Sequence, residues 1–193
     1  MTSSAVTDRR SQRLAQILDA AWQIAGESGL GAVSLHEVAR RVGIRQPSLY
    51  GHVRSKLDLF DAMFAQAYEQ LLVRMDADAP VGTAREQLLR LSRVFLDFIV
   101  EDPTRTQLLF QRTIPGFVPS PASYALAGRA LDRCVRLLAA LGAGSPTHVD
   151  VYTAIVAGLG AQQVANDPGG DRWTRHLETL LDLFLDHFNP EES

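Results

Sequence analysis

Apolar residues recur at the period of an α-helix along almost the whole chain. In the first segment the spacing places six of them on one face of a helix: Leu14, Ile17, Leu18, Ala21, Ile24 and Ala25. The glycines of "GESGLGA" end this pattern, which predicts a first helix at about residues 10–28. The eight residues at the N-terminus are expected to be disordered. No segment alternates with the period of a strand, so we expect no β-sheet.

Short capping signals delimit the next two helices. Ser34 and Glu37 fit the capping box, in which the serine hydroxyl accepts from a helix amide and the glutamate reaches back to the cap amide. Gly43 ends this second helix, because glycine takes the left-handed conformation there without strain. A third helix is predicted from about residue 45 to about His52, with Pro47 in its first turn, where the missing amide hydrogen costs nothing.

The remainder of the chain predicts one long helix and five more. Ser55 and Asp58 resemble another capping box and open a helix that runs to "DADAPVGT". Breaks rich in proline and glycine separate the helices that follow, at about residues 84–101, 104–112, 122–141, 147–166 and 171–188. The predicted fold class is all-α, with about nine helices.

The composition is that of an ordinary globular protein. Of the 193 residues 46% are apolar, which is enough for a core. No apolar run reaches the roughly 18 residues that a membrane span needs, and the N-terminal segment lacks the apolar region of a signal peptide. We therefore expect a cytoplasmic protein with no membrane partner. The single cysteine, Cys134, excludes an intramolecular disulfide and lies on an apolar helical stripe, which favours a place in the core.

Charge is distributed unevenly along the chain. Residues 1–56 hold eight basic residues against four acidic ones, a net charge of +4, whereas the other 137 residues carry −7. A basic segment on an acidic body is typical of a protein whose head meets a polyanion. Uneven surface charge without a function is the alternative.

A capped helix, a glycine turn and a short helix with polar residues at its start form the layout of a helix-turn-helix motif. The second helix of such a motif lies in the major groove of DNA and offers its first residues to the base edges. The donors of Arg45 and Gln46 suit guanine and adenine, respectively. Pro47 and Ser48 would let the backbone come close to the bases.

Lys56 is the only lysine among nineteen basic residues, and it stands at the start of the next predicted helix. Free amides and the helix dipole favour an anion at such a position, so a compact ammonium group would complete a phosphate site. Tyr50 and His52 are expected to contact phosphate or sugar. Leu49 and Val53 are expected to anchor the short helix to the core.

The segment "LHEVARRVGIRQPSLYGHVRSKLDLFDAM", preceded by "RLAQILDAAWQIAGESG", resembles the DNA-binding domain of the TetR family of transcriptional regulators. The resemblance covers about residues 11–71, with the helix-turn-helix motif at about residues 34–53. It implies a homodimer and a helical C-terminal domain, residues 76–193, that binds a small molecule and dimerises. It also implies DNA contacts from Ser34, His36, Arg45, Gln46, Pro47, Ser48, Tyr50, His52 and Lys56.

Two residues depart from the family pattern. Gly51 replaces a residue that is usually larger, which predicts a recognition helix weaker by about 1 kcal/mol than one with alanine. Trp22 stands where phenylalanine is frequent, and we interpret it as part of the core. Near the N-terminus, Arg9, Arg10 and Arg13 are equally compatible with an arm that reaches the minor groove and with an unstructured, solvated tail.

The last two predicted helices have the features of a dimer interface. Small residues at helical spacing in the first would let another helix approach closely, and the second has a broad apolar stripe. The predicted interface residues are Ala154, Gly158, Ala161, Ala165, Trp173, Leu177, Leu180, Leu181, Phe184 and Phe188. The alternative is that both stripes are buried within one chain. A twofold is expected because one short recognition helix covers too few base pairs to be selective.

Aromatic and branched side chains between the head and these helices are candidates for the wall of a ligand cavity. They are Phe64, Tyr68, Phe95, Ile99, Phe110, Ile114, Phe117, Tyr124, Tyr152 and Ile155. Scattered amides accompany them, at Gln107, Gln111, Gln162 and Gln163. The loop "TIPGFVPSPAS" suits a semi-rigid gate or a plain connector. No cofactor is expected, and the effector should be a small apolar or aromatic molecule, since the pattern forces no charged residue inside.

The sequence therefore predicts a ligand-responsive repressor that binds a palindromic operator in double-stranded DNA as a homodimer. One alternative is a helical ligand-binding or protein-interaction module whose DNA head no longer functions, which Gly51 alone favours. Another is a DNA-binding protein that activates transcription or lacks an effector. No enzyme is predicted: His148 with Asp150, or His176 with Asp182, could form dyads, yet no nucleophile, metal-site or phosphate-loop motif accompanies them.

Overall fold

The computed structural model describes residues 2–77 and 81–188, with side chains from Arg9 onward. These ranges contain nine α-helices and no strand, so the predicted fold class is confirmed. The helices are α1 (Thr2–Ser28), α2 (Leu35–Val42), α3 (Gln46–Leu49), α4 (Lys56–Ala77), α5 (Ala84–Glu101), α6 (Pro103–Phe110), α7 (Pro121–Ala140), α8 (Pro146–Asn166) and α9 (Leu177–Phe188). Single turns of 3-10 helix lie at Leu30–Ala32 and Thr174–His176. None of the helices in these ranges combines the length and apolarity needed to cross a bilayer.

Contacts between residues divide the chain into two compact units. The head unit contains the described residues up to Ala67 together with Gln107–Tyr124. The body unit contains Tyr68–Thr106 and the described residues from Ala125 onward. The segment 107–124 thus belongs by sequence to the predicted C-terminal domain but packs with the head unit. The functional domains at residues 11–71 and 76–193 remain a prediction.

Helix α1 begins at Thr2, well before residue 10. The prediction that the first eight residues are disordered is therefore wrong for residues 2–8. Their sequence, "TSSAVTD", contains neither glycine nor proline, so nothing in it interrupts a helix that is already formed downstream. The apolar pattern could not indicate this extension, because it marks only the part of a helix that faces a core.

The core of the head unit is built from α1 to α4, from Leu108 of α6 and from part of the segment after α6. Phe60 is fully buried, and the ring of Phe117 packs against it at a centroid distance of 6.0 Å. Ile114 lies against the same core, so the loop predicted as a gate or connector is anchored on the head unit. Trp22 is half-buried, and its Nε1 donates to Gln66 Oε1 on α4 at 2.8 Å.

A buried polar network lies within the body unit. The Tyr152 hydroxyl is 2.7 Å from Ser92 Oγ and donates to Cys134 Sγ at 3.5 Å, while Ser92 Oγ donates to the Leu88 carbonyl at 2.7 Å. Cys134 is buried, as predicted. Burial raises the pKa of the Tyr152 hydroxyl well above its ordinary value. These partners account for Tyr152 as a core residue.

Gln163 joins the end of α8 to the turn that leads into α9. Its Oε1 accepts from the amides of Trp173 and Thr174 at 2.8 and 3.3 Å, and its Nε2 donates to Asp167. Gln163 is thus a buried structural residue. The last helix begins at Leu177, later than predicted, because a 3-10 turn precedes it.

Helices α5 and α8 are in close contact at Gly160. A Cβ added to Gly160 would lie 2.9 Å from Ile99 Cγ1 and closer still to Cδ1. Real Cβ atoms do not tolerate such distances, so any side chain at this position must displace Ile99. Gly160 therefore fixes the packing distance between the two helices.

Replacing Gly160 with alanine tests this close approach. Overpacking of a filled core costs about 1–3 kcal/mol, so Gly160→Ala should lower the free energy of unfolding by about that amount. Gly128→Ala is the matched control, because an added Cβ at this exposed position of α7 meets nothing within 4 Å and the helix gains up to about 1 kcal/mol. Urea denaturation measures both variants. Equal effects would contradict the close contact.

Candidate nucleic-acid interface

The predicted capping serine holds the start of α2. Ser34 Oγ accepts from the Glu37 amide at 3.2 Å. The second half of the predicted capping box does not form, because the Glu37 carboxylate accepts from the Arg40 guanidinium instead, at 2.6 and 2.8 Å. A two-pronged bond between charged groups is stronger than a bond to a neutral amide. The serine alone therefore caps this helix.

Gly43 sets the turn between α2 and α3. Its backbone is left-handed, with φ 72° and ψ 32°, as predicted. The Gly43 amide donates to the Arg40 carbonyl at 3.2 Å, and the Ile44 amide donates to the Ala39 carbonyl at 3.0 Å. This pair of bonds forms a Schellman ending, which needs glycine because other residues are strained at this φ. The turn fixes the direction in which α3 leaves α2.

Helix α3 is held from behind by apolar side chains. It spans only Gln46–Leu49 and has Pro47 in its first turn. Leu49 is completely buried and Val53 is 3% exposed, so the two predicted anchors are confirmed. The polar side chains at the start of α3 are left on the surface.

Gly51 lies beyond α3, in the turn that joins it to Val53. The prediction of a helix that runs to His52 is wrong, and so is the expected weakening of the recognition helix by Gly51. Helix propensity has no bearing on a residue in a turn. The Gly51 carbonyl accepts from Arg10 Nη2 at 3.3 Å, which connects this turn to α1.

The helix-turn-helix brings the predicted DNA-contacting residues together. Five of them are exposed: His36, Arg45, Pro47, Ser48 and Tyr50. The other four are half-buried: Ser34, Gln46, His52 and Lys56. Tyr50 is 49% exposed, and its hydroxyl accepts from Gln46 Nε2 over a long distance of 3.4 Å. The roles of these residues remain predictions.

Lys56 is the first residue of α4. Its Nζ donates to the Gly31 carbonyl at 3.0 Å and lies 5.6 Å from the centroid of the Phe60 ring. Ser55 Oγ caps the helix by accepting from the Asp58 amide at 3.0 Å. The Asp58 carboxylate accepts from the Arg54 amide at 3.1 Å, one residue before the amide that a capping box predicts. The ammonium group is therefore held in place with two of its three donors left over.

Two acidic residues of the head are engaged by arginines of α2. Arg41 donates to both carboxylate oxygens of Glu27, at 2.8 Å each, and so joins α2 to the end of α1. This hydrogen-bonded guanidinium lowers the pKa of Glu27, and that of Arg40 lowers the pKa of Glu37. Both carboxylates therefore stay ionised at neutral pH, and they neutralise much of the positive charge of α2.

The arginines near the N-terminus lie on α1, which favours a folded element over the solvated tail. They line a concave surface that encloses a volume of about 390 Å³. Its lining residues are Arg9, Arg10, Gln12, Arg13, Gln16 and His52. Sequence reasoning missed the two glutamines. Their helical spacing from Arg10 and Arg13 was the available signal, since all four residues lie within the predicted first helix.

Asp61 ties α4 to the start of α7 within the head unit. Its Oδ1 accepts from the Ser120 amide at 2.7 Å, and its Oδ2 accepts from Ser123 Oγ at 2.9 Å. Ser120 Oγ in turn accepts from the Ser123 amide at 3.2 Å. This contact could not be predicted, since nothing in the sequence pattern distinguishes Asp61 from a solvated residue.

The ten predicted pocket residues divide equally between the two units. The head unit contains Phe64, Phe110, Ile114, Phe117 and Tyr124, and the body unit contains Tyr68, Phe95, Ile99, Tyr152 and Ile155. Tyr124 is 66% exposed. The ring of Phe64 makes an edge contact with Phe117 at 6.3 Å. The ligand role of these residues remains a prediction.

The small residues predicted at the dimer interface form an exposed face of α8. Ala154, Gly158, Ala161 and Ala165 are all exposed. An added Cβ at Gly158 would meet nothing within 4 Å in the chain itself. This face is therefore open to another helix.

The predicted interface residues of the last segment need correction. Leu177, Leu181 and Phe184 are only 1–4% exposed, because α9 packs this stripe against α5 and α8 within the chain. They offer no surface to a partner. The others are half-buried: Trp173, Leu180 and Phe188. Leu183, which was not predicted, is 60% exposed.

Similar proteins match both the motif and the fold. Residues 17–63 match the family model described as bacterial regulatory proteins, tetR family. The HTH-type transcriptional activator FasR of Mycolicibacterium smegmatis is 30% identical over 126 residues, which are 65% of this chain and 56% of that protein. The tetracycline repressor protein class D of Escherichia coli is 35% identical over 75 residues, 38% of this chain and 33% of that protein. The chain thus spans about half the length, or less, of these relatives.

Solved structures share the fold over most of the chain. The TetR family transcriptional regulator PfmR from Thermus thermophilus has a TM-score of 0.64 at 19% identity, covering 88% of this chain and 96% of its own. The multidrug binding protein EbrR, solved in complex with imidazole, has a TM-score of 0.64 at 23% identity, covering 90% of this chain and 89% of its own. Residues 17–63, which hold the helix-turn-helix motif, are thus similar to the tetR family of bacterial regulatory proteins, and the described part of the chain shares the fold of these solved structures.

Proposed function

We propose that this protein is a transcriptional regulator that binds a palindromic operator in double-stranded DNA as a homodimer and leaves it when a small apolar or aromatic molecule binds. The observation that carries the proposal is the exposed polar start of α3, held by buried Leu49 within the segment that matches the family model. A module with a non-functional DNA head has lost its support, because Gly51 lies outside the recognition helix.

Repression is the mode of action that we propose. A dimer bound within a promoter excludes RNA polymerase by its bulk, whereas activation requires a further surface that contacts the polymerase. The two relatives are named as an activator and a repressor, so similarity to them favours neither activation nor repression. Transcription in vitro from a promoter that contains the operator distinguishes the two modes.

The start of α3 offers readout groups, and the residues after it offer positioning groups. The exposed Arg45 guanidinium matches the two acceptors of guanine, and the Gln46 carboxamide matches adenine. The Tyr50 hydroxyl and the Lys56 ammonium carry donors that suit phosphate oxygens, which hold no sequence information. The bond from Lys56 to Gly31 orients the ammonium group before DNA arrives.

Substitutions separate these two roles. Arg45→Ala or Gln46→Ala should cost about 1–3 kcal/mol at particular base pairs and relax the preference there. Lys56→Ala and Tyr50→Phe should weaken binding to all sequences about equally. The readout is selection of sites from random duplex DNA followed by anisotropy titration, with Arg136→Ala, an exposed arginine of α7, as the control. A changed base preference in Lys56→Ala would mean that the roles are wrongly assigned.

The exposed small-residue face of α8 supports the homodimer. Small side chains let two helices approach closely, and the neighbouring Val151 adds an exposed apolar side chain, as Leu183 does on α9. Two α3 helices about 34–36 Å apart would enter successive major grooves of one operator. A palindromic operator follows from the twofold of such a dimer.

An arginine placed on this face should separate the subunits. We expect Gly158→Arg to be monomeric in sedimentation velocity, because a large charged side chain keeps a partner helix away, and to lose most of its operator affinity. Gly128→Arg introduces the same side chain at another exposed glycine of the body unit and should remain dimeric. A dimeric Gly158→Arg protein would exclude this face as the interface.

A link between ligand and DNA is supported by the contacts of α4. Lys56 opens this helix, and Asp61, little more than one turn later, bonds the segment that precedes α7. Movement of that segment would reach Lys56 through fewer than two helical turns. By linkage, a ligand that favours the moved position weakens DNA binding by the factor by which DNA weakens the ligand.

Removal of the Asp61 carboxylate should uncouple the two events. We expect operator DNA to weaken ligand binding to the native protein by about 5- to 150-fold, and this ratio should fall towards one in Asp61→Ala. Glu69→Ala removes an exposed carboxylate from the same helix and should keep the ratio. Calorimetry with a small aromatic ligand found by thermal-shift screening measures the affinity with and without operator. An unchanged ratio in Asp61→Ala would refute this route.

A further inference from the structure

A second cationic surface lies beside the end of the recognition helix. The α1 surface, as we call it, is the concave surface lined by Arg9, Arg10, Gln12, Arg13, Gln16 and His52. Five of these residues follow one another on α1 at spacings that place them on neighbouring positions of one side of the helix. Among the described residues, its lining contains three guanidinium groups and no carboxylate.

Among the residues whose side chains are described, the lining of the α1 surface contains no negative charge to balance these arginines. Arginines four apart on a helix repel each other, which destabilises the helix by a few tenths of a kcal/mol. On α2 the equivalent charges are compensated, because Arg40 and Arg41 bond Glu37 and Glu27. The lining of the α1 surface offers only glutamine and histidine beside its arginines. An anion from outside the chain is the partner that this surface lacks.

The α1 surface is fixed relative to α3. Arg10 Nη2 donates to the carbonyl of Gly51, two residues beyond the end of α3, at 3.3 Å. Arg13 Nη1 donates to Gln16 Oε1 at 2.9 Å, which orients both side chains. His52 lines the surface from the turn after α3, and its buried Nδ1 has no hydrogen-bond partner among the described residues. An anion here would therefore be held in a fixed position next to the recognition helix.

We infer that the α1 surface binds phosphates of the DNA backbone beyond those contacted by the helix-turn-helix. The inference rests on the proposed DNA-binding function and assigns to it additional phosphate contacts from α1. A guanidinium group donates two parallel hydrogen bonds to the oxygens of one phosphate, and it is weakly hydrated. Three such groups in one concave surface therefore suit consecutive phosphodiesters. The contacts add affinity and salt dependence but no base preference.

The test compares charge-removal variants of the full-length protein. The triple variant Arg9→Gln, Arg10→Gln, Arg13→Gln is titrated against a random-sequence duplex of about 30 base pairs, three helical turns, at several salt concentrations. Each phosphate contact contributes about 0.9 to the slope of log affinity on log salt, so three contacts in each of two heads would lower its magnitude by about 5. We expect the magnitude of the slope to fall by at least about 2 in the triple glutamine variant. The corresponding triple lysine variant keeps the positive charges and should keep most of the slope.

A matched control removes the same charge elsewhere. Arg129→Gln, Arg136→Gln, Arg175→Gln takes three exposed arginines from the body unit and should leave the slope nearly unchanged. Ethylation interference on a selected operator gives a direct readout. Ethylation of phosphates at the edge of the footprint should block binding of the native protein but not of the α1 variant. Ethylation of the phosphates contacted by Lys56 should block binding of both. Thermal unfolding checks that all variants are folded.

The outcomes separate this inference from the proposed function. A native protein with a slope near zero would refute DNA binding itself. A steep native slope that falls equally in the α1 and body variants, or an unchanged interference pattern, would overturn the α1 surface alone. Thermal unfolding with inorganic phosphate tests whether the surface binds a free anion instead. The inference fails if phosphate stabilises the native protein but not the α1 variant, and if both proteins show the same salt dependence of DNA binding.

Discussion

Burial of Leu49 is the constraint on which the head depends. Helix α3 has four residues, far fewer than the roughly twelve that an isolated helix needs to persist in water. It is helical because Leu49 is completely buried and because the Gly43 turn delivers the chain to the core in one register. The positions of Arg45 and Gln46 are thus set by apolar packing behind them. The proposed base contacts depend on this packing, since a helix as short as α3 does not persist by itself.

Polar residues around the motif also stabilise the fold and keep donors to spare. Ser34 caps α2, and Lys56 bonds the carbonyl of Gly31 from the start of α4. An ammonium group carries three donors around one nitrogen, so one bond to a carbonyl leaves two that point elsewhere. The planar guanidinium of an arginine is larger and directs its donors within one plane. This difference gives a physical reason for a lysine at this one position of a chain that otherwise uses arginine.

Helix boundaries could be predicted where the chain carries capping or breaking residues. Helices α5, α7 and α8 begin and end within one residue of their predicted positions, and Thr83 and Ser145 form the caps of two of them. Residues 2–8 contain no glycine or proline and no apolar stripe, so the apolar pattern placed the start of α1 too late. The end of α3 was predicted too late, at about His52, because the sequence pattern does not show that the chain turns after Leu49 and buries Val53. A local signal predicts a boundary only if packing does not override it.

The partner of an apolar or small-residue face could not be predicted, because periodicity shows only that a face is suited to burial. Gly158 and Gly160 stand two residues apart on α8, yet one is exposed and the other admits the side chain of Ile99. Leu181 was assigned to a dimer by the same rule and is buried within the chain. The face of Gly158 differs in kind from the stripe of Leu181, since small side chains expose little apolar area and so remain compatible with water in a free subunit. They also bring backbones close when a partner arrives, which restricts sliding between helices. The proposed dimer, which would hold two α3 helices at a fixed spacing, needs an interface with both properties.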